Sequence, residues 1–150
     1  MTLRDGLMEQ IKDAMRAKAA DRLSTLRLIL NGLKEREIAL RGEAAVMTGA
    51  DELVVLAKMV KQRQESVKVY LEGHRQDLAD KESAEIKVIE EFLPKQLAAA
   101  EVEVAVAAVI AEVGAASVKD MGRVMAVLKA KYTGQMDFGA VGALIKARLG

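Results

Sequence analysis

A chain of 150 residues, 51% hydrophobic and 30% charged, has the composition of one ordinary folded domain or two small ones, and not of a disordered segment. It contains no cysteine, which excludes disulfides, zinc–thiolate centres and thiol nucleophiles, and its formal net charge of +1 selects no class of partner. Four aromatic residues, no tryptophan and a single proline, Pro94, leave a core of Ala, Val, Leu and Met, a mixture that favours helices over sheets.

Thr2 followed by Asp5 reads as a capping box. Behind it Leu3, Leu7, Ile11 and Met15 recur every four residues, which predicts an amphipathic first helix. Asp21 is placed to cap a second helix, with Leu23, Leu26, Leu30 and Leu33 along one stripe, running to about Arg41. Thr48, Gly49 and Asp51 mark a third start. Leu53, Leu56, Val60, Val67 and Leu71 then follow a near-heptad spacing interrupted by Gln64, and Gly73 is the natural stop. A fourth helix carries Leu78, Ile86, Ile89 and Leu93 and ends against Pro94.

The segment EFLPKQL at 91–97 is the expected domain junction. Beyond it, residues 101–113 read as a helix closed by Gly114. Ser117 with Asp120 resembles a further capping box, opening a helix to about Tyr132. Gly134 breaks the chain, and Asp137 caps a last helix bearing Val141, Leu144, Ile145 and Leu149. No stretch alternates with the period of a strand. The reading is all-α: about four helices in residues 1–95 and three in residues 96–150. Arg4, Asp5 and Glu9 stand where a signal peptide needs an apolar run, and uncharged stretches reach only about eight residues against the ~20 needed to span a bilayer. A cytoplasmic protein that does not enter the membrane is expected, and a monomer.

The catalytic inventory is thin. His74 is the one histidine and lies in a predicted loop, where a solvated side chain is the plainer reading. Ser24, Ser66, Ser83 and Ser117 sit in no nucleophile elbow, and no phosphate-binding or dinucleotide glycine loop is present. The acidic pairs Glu35/Glu37 and Glu90/Glu91 do not share a helix face, so no acid–base role, metal or cofactor is assigned. Two segments carry more. The run KQRQES from Lys61, with Arg75 and Asp77 beyond it, forms a candidate interaction surface of Lys61, Arg63, Glu65, Arg75 and Asp77. On it Lys61, Arg63 and Arg75 could hold an anion, or the whole could be a solvated face stitched by ion pairs. The run KDMGRVM from Lys119 places Gly122 inside a predicted helix, where close approach of the last helix, with its Gly139 and Gly142, would offset the cost of glycine. Met121, Val124, Met125 and Leu128 have the spacing of a packing stripe. The surrounding cations could meet RNA phosphates: residues 117–150 hold six basic and two acidic side chains.

The ordered set of KQRQES, Gly73-x-Arg75-x-Asp77-Leu78, EFLPKQL and KDMGRVM, with Arg22 to Arg27 before it and Gly134-x-x-Asp137 after it, resembles the GatB/YqeY family along nearly the whole chain. The resemblance implies a helical N-terminal domain and a three-helix C-terminal domain similar to the tail of the B subunit of the tRNA-dependent amidotransferase, which contacts the tRNA body. Small members of the family are accordingly associated with carbon–nitrogen ligase activity that uses glutamine as amido donor. This chain lacks both the ATP-using cradle of the B subunit and the amidase signature, so the implied role is accessory. The implied partners are tRNA and a tRNA amidotransferase or aminoacyl-tRNA synthetase. The implied nucleic-acid contacts are Lys119 and Arg123, joined on charge alone by Lys129, Lys131 and Lys146. The runner-up role is a protein-interaction module acting through the N-terminal domain.

Overall fold

A computed structural model describes residues 2–150. Among these residues helix is the only regular secondary structure: α1 (Leu3–Arg16), α2 (Ala20–Gly42), α3 (Gly49–Glu72), α4 (Gln76–Glu90), α5 (Ala99–Val113), a 3-10 turn (Val118–Asp120), α6 (Met121–Lys131) and α7 (Phe138–Leu149). The fold is all-α. The chain divides into two compact units, Met1–Leu93 and Pro94–Gly150.

In the first unit, two helices start on reciprocal caps. Thr2 Oγ1 accepts from the Asp5 amide at 3.2 Å while the Asp5 carboxylate accepts from the Thr2 amide at 3.1 Å. Thr48 and Asp51 repeat the arrangement at 3.2 and 2.8 Å. Asp21 does not cap α2. The reversal after α1 is too tight for an extended cap residue: Lys18 turns left-handed (φ 55°), the Ala19 amide bonds back to the Ala14 carbonyl at 2.9 Å, and Ala19 takes the cap position with no side-chain bond. Asp21 falls in the first turn, where its charge still suits the helix dipole.

The core of this unit joins Leu7, Ile11 and Ala14 of α1 to Leu26, Ile29 and Leu33 of α2, Leu56 of α3 and Ile89 of α4. Met15, expected in the stripe of α1, is 54% exposed, and Ala14 is buried in its place. A strict spacing of four overruns the 3.6-residue turn, so the third step must be three. In α2, Ile29 is buried with Leu26 and Leu33, while Leu23 and Leu30 pack at the margin. From α3 and α4 only Val55, Leu56, Met59 and Val60, and Val88 and Ile89, reach this core. Residues 61–87 therefore leave it behind as a two-helix arm. Arg63 fastens the arm across its seam, with Nε 2.9 Å from Glu85 Oε2 and 3.9 Å from Glu82 Oε2. At its tip α3 stops at Gly73, yet Gly73 keeps φ −87° and His74 is the residue that turns left-handed, at φ 59°. Helix α4 ends at Glu90, four residues before Pro94, and Phe92 and Leu93 fold onto the core.

In the second unit, Val106, Val109, Val124, Leu128, Val141 and Ile145 form the fully buried centre. Gly114 ends α5 in the left-handed conformation, as the stop after residue 113 requires, and Gly134 adopts φ 77°. Ser117 and Asp120 do not open an α-helix directly. They frame the 3-10 turn, in which the Asp120 carboxylate accepts from the Ala116 and Ser117 amides at 2.9 and 3.3 Å, and α6 begins at Met121. Gly122 is consequently the second residue of α6, and a Cβ there would meet nothing within 4 Å. The expected close helix approach at Gly122 does not occur. The tight position is Gly142, whose Cβ would stand 3.3 Å from Met121 Cε and 3.7 Å from Met125 Cε. Val124 and Leu128 are buried, with Met121 and Met125 packed against the same core. Asp137 caps α7 by accepting from the Gly139 amide at 2.9 Å. The incoming chain is strapped down by the Gln96 side chain, which donates to the Gly134 carbonyl, and by the Leu97 amide, 2.9 Å from the Gln135 carbonyl.

Candidate functional site

Lys119, Arg123, Lys129, Lys131, Lys146 and Arg148 are all exposed. Lys119 lies in the 3-10 turn, Arg123 in the first turn of α6, Lys129 and Lys131 in its last turn, and Lys146 and Arg148 in the last turn of α7. Val118, beside Lys119, is 3.8 Å from where a Cβ on Gly150 would stand, so the end of α7 and the turn share one end of the unit. The six cations differ in engagement. Arg123 Nη2 reaches Asp120 Oδ1 at 2.9 Å, and Lys131 Nζ reaches Glu112 Oε2 at 2.6 Å, which holds the Lys131 ammonium above its ordinary range. Lys119, Lys129, Lys146 and Arg148 have no ion-pair partner among the described residues. The two amide donors, Ala116 ahead of Ser117, and Arg123 keep the Asp120 carboxyl below the usual carboxylate range.

The five candidates of the N-terminal unit all fall on the arm, but the anion-holding trio does not assemble. Arg63 is half-buried in the α3–α4 seam and committed to Glu85 and Glu82, with Nη1 also 3.3 Å from the Met59 carbonyl. Arg75 closes on Asp77 through two bonds of 3.1 Å, which holds Asp77 below the usual carboxylate range. Lys61 and Glu65 are exposed on α3. His74 is exposed at the tip. Among the described residues no group of three or more His, Cys, Asp or Glu could hold a metal ion, and no helix is long and apolar enough to cross a membrane.

One concavity was not legible in the sequence: a groove of about 460 Å³ between α2 and α3, with Gly32, Val54, Val55 and Met59 among its apolar lining and Arg36 and Lys58 among its polar lining. At Gly32 the side chain of Met59 packs close on α2, since a Cβ there would stand 3.3 Å from Met59 Sδ. The groove contains no nucleophile–base pair. Its parts come from two helices and share no local motif.

The sequence matches the model of one family, the Yqey-like proteins, over residues 4–149. The chain belongs to the YqeY-like family. Among its relatives, the mitochondrial protein "Altered inheritance of mitochondria protein 41" of Lachancea thermotolerans is 33% identical over 98 residues, 65% of this chain and 51% of its own length. The protein of the same name in Vanderwaltozyma polyspora is 35% identical over 91 residues, 59% of this chain and 46% of its own length. An uncharacterized protein of Schizosaccharomyces pombe is 33% identical over 89 residues, 59% of this chain and 70% of its own length. The chain thus spans about half the length of the mitochondrial relatives it matches. These names overturn the expectation of a cytoplasmic location, which rested on a charged N-terminus and short uncharged stretches. Neither feature tells a cytosolic protein from a mitochondrial one.

Proposed function

We propose that this YqeY-like protein is an accessory factor that binds folded RNA, tRNA in the first instance, through the Lys119–Arg148 face of its second unit. The observation that carries the reading is the charge exposed between Lys119 and Arg148: six exposed cations stand against Asp120, Asp137 and the Glu112 that pairs with Lys131, and Asp137 is engaged at a helix cap. Phosphate contact needs such a surface and no base-reading element. The choice of tRNA, and of a link to glutamine-dependent amidation of aminoacyl-tRNA, comes from the resemblance read in the sequence of residues 96–150 to the amidotransferase B-subunit tail, beyond the YqeY-like family match itself. Titration of the full chain with bulk tRNA at two salt concentrations, against an unstructured RNA, tests it. Tighter binding to tRNA that weakens with salt and with Lys119→Ala/Arg123→Ala is expected. Equal affinity for both RNAs, or none, refutes it.

A second reading has its own observation. The arm buries Ala79 but adds no side chain to the cluster around Leu7, Leu26 and Ile89, and it exposes Val69 (63%) and Leu71 (47%), as a protein-docking element would. Docking on a translation-related enzyme predicts that Leu71→Glu abolishes capture of that enzyme without altering RNA affinity.

A further inference from the structure

We propose that Asp120 is an internal competitor for RNA phosphate, holding Arg123 until a phosphate displaces it. The inference rests on the RNA-binding reading above. Asp120 is a fixed group: one carboxylate oxygen takes the Ala116 and Ser117 amides at 2.9 and 3.3 Å, and the other takes Arg123 at 2.9 Å. The arginine is the mobile partner, with a side chain 59% exposed against 26% for the aspartate. The carboxylate also follows Lys119 directly in the chain, so a phosphate that approaches Lys119 meets an anion already seated beside it.

Two consequences separate Arg123 from its neighbours. Lys119 is unpaired and takes a phosphate without losing a partner. Arg123 must exchange one anion for another, and the bared Asp120 recruits a cation that cancels part of the counterion release on which salt-sensitive binding depends. Arg123 therefore contributes less than Lys119 in the native chain, and its contribution appears in full only when Asp120 loses its charge.

The test is Asp120→Asn in the full chain. The amide oxygen still accepts from Ala116 and Ser117, so the turn keeps its bonds while the charge is gone. Bulk tRNA should bind the variant about 3- to 10-fold more tightly at low salt, with a salt slope steeper by about one, the share of one phosphate contact. Arg123→Ala in the variant should remove most of that gain, leaving only the share that loss of an anion beside Lys119 gives. Affinity and slope equal to wild type, or a gain that survives Arg123→Ala in full, would overturn the assignment while leaving the RNA reading intact. Absence of tRNA binding by both wild type and variant would overturn both. Should Asp120→Asn fail to fold, single substitutions decide: Lys119→Ala must weaken native binding more than Arg123→Ala, and the reverse order sinks the proposal.

Discussion

Arg22 and Glu91, 69 residues apart in the chain, close a two-pronged ion pair, with Nη1 2.7 Å from Oε2 and Nη2 3.1 Å from Oε1. Nη2 also reaches Gln10 Oε1 at 2.9 Å, so one guanidinium ties α1, α2 and the chain beyond α4 together. The fork geometry is what lysine cannot supply. Arg22→Lys and Arg22→Ala should both lower the stability of the first unit, the alanine variant by about 0.5–1 kcal/mol because the pair is partly exposed. Chemical denaturation with Glu91→Ala as the second arm of a double-mutant cycle measures the coupling. A coupling near zero would show that the pair is incidental.

Arg63 is the stronger tie. Its side chain is 15% exposed and faces two carboxylates, Glu85 and Glu82. Removing it leaves two acids in one sheltered seam. Arg63→Met, which keeps most of the packing, should cost about 1.5–3 kcal/mol, the range for hydrogen bonds to charged groups. Glu82→Gln/Glu85→Gln in the same background should restore part of the loss, and urea titration of the three chains reads both effects.

Helix ends offer a prediction of opposite sign. Ala44 and His74 hold left-handed conformations that glycine adopts without strain. Relief of about 1–2 kcal/mol of left-handed strain exceeds the entropic cost of glycine, about 0.5–1 kcal/mol. Ala44→Gly and His74→Gly should each raise the melting temperature. Gly122→Ala should do so as well, by a fraction of the ~1 kcal/mol that glycine costs in a helix interior, because it is the second residue of α6 and nothing occupies the space its Cβ would take. A lower melting temperature for Gly122→Ala would restore the backbone contact that its place in KDMGRVM invites one to expect.

How much was legible follows from the range of the signals. The caps at Thr2, Thr48 and Asp137 and the stop at Gly114 are local bonds of two to four residues, and their residue types state them. The role of Arg22 is not local: its stretch was visible as a family feature, but Glu91 is too distant for spacing to connect them. Arg63 reads as a surface cation in KQRQES until α4 folds back and supplies its acids. Gly122 misled because the Val118–Asp120 turn moves the helix start, so an interior glycine becomes an N-terminal one. The cations from Lys119 onward were legible as exposed. Their division into paired and unpaired depends on Asp120 and Glu112, and only the fold reveals it.

Stability should fall in acid. Cap amides hold Asp5 and Asp51 below the usual carboxylate range, Arg4 does the same for Glu37, and the Ala116 amide, ahead of Arg123, for Asp120. A carboxyl depressed in the folded state adds stability in full above its unfolded value, near pH 4. That stability is lost as pH falls through the lower folded value. Melting temperatures should be level from neutral pH down to about 5 and drop below about 4, and Asp51→Asn should flatten part of the drop. A profile that declines on the alkaline side of neutrality instead would contradict this account.

The arm at 61–87 touches the core only through its base, and that insulates it energetically. Its amides can open and exchange with solvent while α1 and α2 stay closed, as a separate cooperative segment of lower protection. Substitutions on its outer face can then change what it touches without drawing on the stability of the core. In this unit, adaptation to a new partner and survival of the fold are decided by different residues.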